Sequence, residues 1–169
     1  LDYSYTPGLF AHVALDILLL RRRNFHDDAK ACIETIDPPL QVLGEENIPQ
    51  RGPCVLTVNH YHRPGLGAQW FALALAARVP VDMHRIITGE FTYPGQWYEQ
   101  LGAIGSRILL KRIAHVYGFT TMPPMPPRPR DVEARAASVR AVLEYVMRAK
   151  NPVLGLAPEG YDPPTEALT

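Results

Sequence analysis

Along the chain, apolar residues fall in short blocks separated by Gly, Pro and charge, and the spacing inside each block separates helices from strands. From Gly8 to Arg23 the pattern predicts one helix, whose polar stripe holds little more than His12 and Asp16 and whose end carries Arg21, Arg22 and Arg23. Its apolar run, Leu9 to Leu20, covers 12 residues, short of the ~20 needed to span a bilayer. Cations at that end suit the negative pole of the helix dipole and also suit anionic lipid headgroups, so the segment reads either as a helix on the domain's own core or as an amphipathic interfacial helix.

After the polar stretch around Asp37-Pro38-Pro39, the segment Gly44 to Pro53 leads into Val55-Leu56-Thr57-Val58, which reads as a buried strand. Asn59 to Gly67 reads as a loop and Ala68 to Arg78 as a helix. Arg85 to Thr88 predicts a second strand, and Tyr93 to Ile113 two short helical pieces parted near Gly102 to Gly105. Val116 to Met122 predicts a third strand. The five prolines between Met122 and Arg130 predict an extended linker, because Pro lacks the amide that a helix or central strand needs. Asp131 is placed to cap a following helix whose apolar face holds Val132, Ala136, Val139, Leu143 and Val146. Asn151-Pro152 stops it, and Val153 to Ala157 is a fourth strand closed by Pro158-Glu159-Gly160.

Strands alternating with helices predict an α/β domain with a largely parallel sheet flanked by helices, whose ligand site lies at the loops following the strands. The division expected is a helical segment over 1–35 and the α/β domain over 36–169. With 169 residues and 47% hydrophobic content, the chain suffices for one core and not two. Seventeen basic residues balance seventeen acidic ones, which argues against a nucleic-acid partner. Cys32 and Cys54 form neither a disulfide framework nor a zinc quartet, so a reducing, cytoplasmic compartment is expected. A chain opening on Leu1 reads as a fragment or a processed product.

Two predicted loops carry unusual chemistry. His60 leaves directly from a strand end, where a rigid element holds the side chain at the mouth of the sheet, and imidazole accepts a proton at neutral pH. Glu159 stands between Pro158 and Gly160 after the last strand, a place where a carboxylate seldom serves packing. Arg63, Arg107 and Arg112 are candidate anion contacts. His60 and His62 form a His-x-His pair of the kind that binds metal in some hydrolases, with His84 and His115 as the remaining histidines after that region.

Gly44 to Pro49, Gly52-Pro53 and Val55 to His60, then Gly102-Ala103-Ile104 with Arg107, then Pro158-Glu159-Gly160, resemble in order and spacing the motifs of the phospholipid/glycerol acyltransferase family, over roughly Ile36 to Asp162. The resemblance implies the glycerol-3-phosphate acyltransferase-like fold. It also implies an O-acyltransferase of the lysophospholipid acyltransferase type, working at a membrane surface on a lipid acceptor. His60 would be the general base that deprotonates an acceptor hydroxyl, which attacks the thioester of acyl-CoA or acyl carrier protein, with no resident cofactor or metal. Glu159 joins it as a catalytic candidate, and Asn59, Arg63, Arg107, Pro158 and Gly160 are the substrate-binding candidates. The family places an aspartate five residues after the histidine to orient it, and here that position is Gly65. Gly160 is followed by Tyr161 and Asp162 where the family has a small hydroxyl residue and then Arg or Ser, and the chain ends nine residues after Gly160 where family members continue with further strands and helices. Two alternatives follow: a catalytically silent lipid- or acyl-chain-binding relative, and a metal-dependent hydrolase using His60 and His62.

Overall fold

The computed structural model describes residues 6–58, 67–93 and 95–158. Among them, helices α1 (Pro7–Leu19) and α2 (Phe25–Ile33) precede strand β1 (Cys54–Thr57), helix α3 (Ala68–Arg78) and strand β2 (His84–Thr88). Helix α4 (Glu99–Tyr117), strand β3 (Thr120–Met122), helix α5 (Val132–Arg148) and strand β4 (Val153–Leu156) follow. The strands form a four-stranded sheet in the order β1-β4-β2-β3, parallel throughout. The α/β class and the parallel sheet are therefore as expected.

The chain moves from β1 across to β2 and β3, then back to the gap beside β1 through α5. Right-handed crossovers put helices on both faces of such a sheet. Successive residues of β2 report the two faces. His84 stacks on Tyr145 of α5, ring centroids 4.1 Å apart, while Arg85 donates to the carbonyl of Ala72 in α3 at 2.6 Å.

Asn24 caps α2 by accepting the Asp27 amide at 3.1 Å, and Asp27 and Asp28 supply the acidic first turn that the helix dipole favours. Ala29, Cys32 and Ile33 of α2 then form one core cluster with Trp70, Leu73 and Ala76 of α3. A second cluster of Val79, Met83 and Val153 lies where α3 ends and β4 begins. Gly52 brings the chain up to β4: a Cβ there would stand 2.6 Å from the Pro152 carbonyl oxygen, and Cys54 donates its amide to the same oxygen at 3.0 Å.

Several local expectations change. The arginine run is not helical: α1 stops at Leu19, Leu20 is left-handed, and Arg23 turns inward to clasp Asp28 at 2.5 and 2.7 Å and Asp16 at 2.5 Å. Tyr117 adds its hydroxyl to Asp28 at 2.9 Å, so one half-buried network ties α1, α2 and α4. The two expected helical pieces are one, α4, because Gly102 is a contact glycine and not a breaker: a Cβ there would lie 2.7 Å from the Tyr93 ring. That helix also takes Val116 and Tyr117 from the expected third strand, which shrinks to Thr120–Met122.

β1 is an edge strand, with Val55 56% exposed, and not the buried strand its apolar run suggested. On α5 the expected core stripe faces outward: Val132, Val139 and Leu143 are 65%, 46% and 55% exposed. The inward stripe is Arg135, Ser138, Val142 and Tyr145. Arg135 donates to the Pro123 and Pro124 carbonyls at 3.2 and 3.1 Å and Ser138 to that of Thr121 at 2.7 Å, so carbonyls of β3 and the proline run select this face. Asp131 precedes α5 but gives it no side-chain cap, its carboxylate being held by Arg128 at 2.5 Å.

Candidate functional site at the carboxyl edge of the sheet

In a parallel sheet all strands end at one edge, and ligand sites gather there. β1 and β4 are direct neighbours, in register from Cys54↔Val153 to Thr57↔Leu156, and the Val58 amide extends the ladder to the Leu156 carbonyl at 3.1 Å. The ends of β1 and β4, which precede Asn59-His60 and Pro158-Glu159 in the sequence, thus lie on adjacent strands at the same height, although about a hundred residues separate them in the chain. Pro158 is exposed just past β4. Asn59, His60, His62, Arg63, Gly65, Glu159, Gly160, Tyr161 and Asp162 lie outside the described residues.

Arg107 sits on α4, half exposed, and donates through Nη2 and Nε to Glu90 at 2.5 and 3.2 Å. Glu90 follows β2 by two residues and is 7% exposed. Its backbone is held by the Thr88 hydroxyl, which donates to the Glu90 carbonyl at 2.8 Å, and by Ser106, which receives the Phe91 amide at 3.0 Å. Arg128 from the proline run reaches the other Glu90 oxygen at 3.3 Å and Asp131 at 2.5 Å. Burial alone would raise the Glu90 carboxyl, but Arg107 and Arg128 outweigh it and hold the group below the ordinary glutamate value.

This four-residue cluster joins the end of β2 to α4, to the proline run and to the residue before α5, and matches two carboxylates with two guanidinium groups. Sequence reading missed Glu90 and Arg128. Glu90 carried a signal, since a carboxylate directly past a strand end obeys the same logic that singled out His60 and Glu159. Arg112 lies elsewhere, donating to the Leu18 carbonyl of α1 at 2.8 Å.

The other two histidines of the metal reading stand apart from this edge. His84 begins β2 at the opposite end of the strand, with Nε2 2.9 Å from the Thr120 hydroxyl, and burial lowers its pKa despite the Gly118 backbone. His115 is exposed near the end of α4. Among the described residues no group of three or more His, Cys, Asp or Glu side chains is placed to hold a metal ion. No helix among the described residues is long and apolar enough to cross a membrane. Comparison with protein-family models, with curated proteins and with solved structures finds no match to this chain.

Proposed function

We propose that the protein is an O-acyltransferase that moves a fatty acyl group from acyl-CoA or acyl carrier protein to a hydroxyl of a lysophospholipid or related glycerolipid. The fold in this reading is the glycerol-3-phosphate acyltransferase-like version of the α/β sandwich. His60 is the general base: its imidazole takes the hydroxyl proton as the oxygen attacks the thioester carbonyl, and the thiol leaves with a proton returned from the imidazolium. Glu159 is assigned to the same reaction, and Asn59, Arg63, Pro158 and Gly160 to binding of the acceptor.

The observation that supports this reading is the in-register pairing of β1 with β4, the two strands that precede His60 and Glu159 in the sequence. The Glu90 cluster changes the part given to Arg107. Already engaged by a carboxylate, it braces the site's rim and offers an acceptor only its exposed edge. The protein works at the cytoplasmic surface of a membrane, with α1 as its interfacial helix.

A silent lipid binder is favoured by one feature, Gly65 in place of the orienting aspartate. Incubation with acyl-CoA and acyl-carrier-protein donors against a panel of lysophospholipids separates the two. The enzyme reading predicts a diacyl product that needs both substrates. Lipid retained on the protein with no new ester would support the silent binder and overturn the enzyme.

A further inference from the structure

α1 is not the only helix whose apolar side faces solvent. On α4, Leu101, Ile104 and Ile108 recur at i, i+3 and i+7, opposite the buried Ser106, Leu110 and Ala114, and are 72%, 53% and 55% exposed. Trp97, one turn ahead of Leu101 in sequence, is 91% exposed. Arg112, one turn beyond Ile108, reaches the Leu18 carbonyl, so this stripe runs up to the C-terminal end of α1. There α1 exposes Leu18 and Leu19, with Phe10 two turns earlier.

Charge follows the same layout. Between Glu99 and Tyr117 the helix carries no acidic residue, while Lys111, Arg112 and His115 crowd its last turns. Arg22, three residues past α1, donates to the His115 carbonyl, and with the end of α4 and the start of β3 it borders an open cleft of about 410 Å³ lined by Arg22, Lys111, His115, Phe119 and Thr121, with no carboxylate in its wall. Asp16, the one acid of α1, is consumed by Arg23. The exposed stripe of α5 lacks this arrangement, because Glu133, Arg140, Glu144 and Arg148 mix both signs along it.

We propose that α4 is a second membrane-contacting helix. With α1 it forms a two-helix apolar face that docks on an anionic phospholipid surface, headgroup phosphates entering the cleft formed by Arg22, Lys111 and His115. This rests on the reading of α1 as an interfacial helix and extends it to α4, the helix that also carries Gly102-Ala103-Ile104 and Arg107. Apolar side chains at acyl-chain depth, an aromatic ring at the interface and cations beside the phosphates are the layout of an interfacial helix.

Trp97 supplies the readout, since Trp70 is buried at 6% exposure. Full-length protein is mixed with phosphatidylcholine vesicles with and without phosphatidylglycerol, some carrying brominated acyl chains. The proposal predicts a blue shift and bromine quenching of Trp97 on phosphatidylglycerol vesicles, both absent in Trp97→Phe. Lys111→Glu should weaken binding about tenfold or more at low salt, and Leu101→Ser/Ile108→Ser should weaken it similarly, with unchanged circular dichroism. Vesicle-bound protein with an unshifted Trp97, or α4 variants that bind like wild type while Phe10→Ser/Leu18→Ser does not, would overturn the role of α4 and leave that of α1. A wild type that binds no vesicles would overturn both. Acyl transfer between water-soluble short-chain substrates, measured in the same α4 variants, reports on the catalytic reading separately.

Discussion

Arg107 donates two hydrogen bonds to Glu90, one at 2.5 Å from Nη2 and one at 3.2 Å from Nε, across the gap between α4 and the end of β2. The carboxylate is nearly sealed from solvent while the guanidinium is half exposed, so the pair anchors an inner acid to an outer base. Arg128 completes it from the proline run.

Glu90→Gln should therefore cost about 1–3 kcal/mol at neutral pH, the usual worth of charge-assisted hydrogen bonds left unmade. The pH dependence has a fixed sign. A carboxyl whose folded pKa lies below its unfolded value stabilises the fold above the unfolded value, about 4.3, and that contribution is lost as pH falls through the lower folded value. Thermal melts of wild type and Glu90→Gln should differ at pH 7 and converge in the acid range. A gap that persists unchanged at low pH would contradict this account of the cluster.

His84 makes a second pH-linked contribution. Burial disfavours its charged form, so in the window below the free value of about 6.5 the unfolded chain takes up the proton before the folded one, and stability declines as pH falls through it. His84→Phe keeps a ring to stack on Tyr145 and removes the proton site. The variant should lack the stability loss between neutral pH and pH about 5 that wild type shows, as read by urea unfolding across that range.

Gly52 bears on the site through β1. A Cβ 2.6 Å from one carbonyl oxygen and 2.7 Å from another meets backbone, which cannot step aside like a side chain. Gly52→Ala should cost about 1–3 kcal/mol by overpacking and reduce acyl transfer beyond what the stability loss explains, since it shifts the start of the strand that delivers His60. Intact stability and turnover would show that β1 tolerates a shift against β4.

The parallel α/β class and the positions of α3, β2 and β4 were legible in the sequence because alternating apolar blocks and Gly or Pro punctuation agree there. What misled was decided by tertiary contacts. The face of α5 is chosen by the carbonyls that Arg135 and Ser138 satisfy, so the more apolar stripe stays outside. Gly102 reads as a breaker until Tyr93 is seen against it. The short α2 has a polar surface and was missed, although Asn24 with Asp27 and Asp28 is a cap and an acidic first turn. At the site, the adjacency of β1 and β4, the strands that precede the two motifs, needed only strand order. Glu90 could be singled out as a carboxylate past a strand end, but its pairing with Arg128 needed the fold, since 38 residues separate them in the chain.

The central claim, that His60 is the base of an acyl transfer, is tested most directly by turnover of a donor thioester and a lysophospholipid in wild type, His60→Ala and His62→Ala. Loss of the base predicts a fall of ~10²-fold or more in kcat for His60→Ala, with an unchanged melting profile and near-wild-type rates for His62→Ala. Undiminished transfer by a folded His60→Ala protein would contradict the account, and equal losses in both variants would point to a metal held by the pair instead.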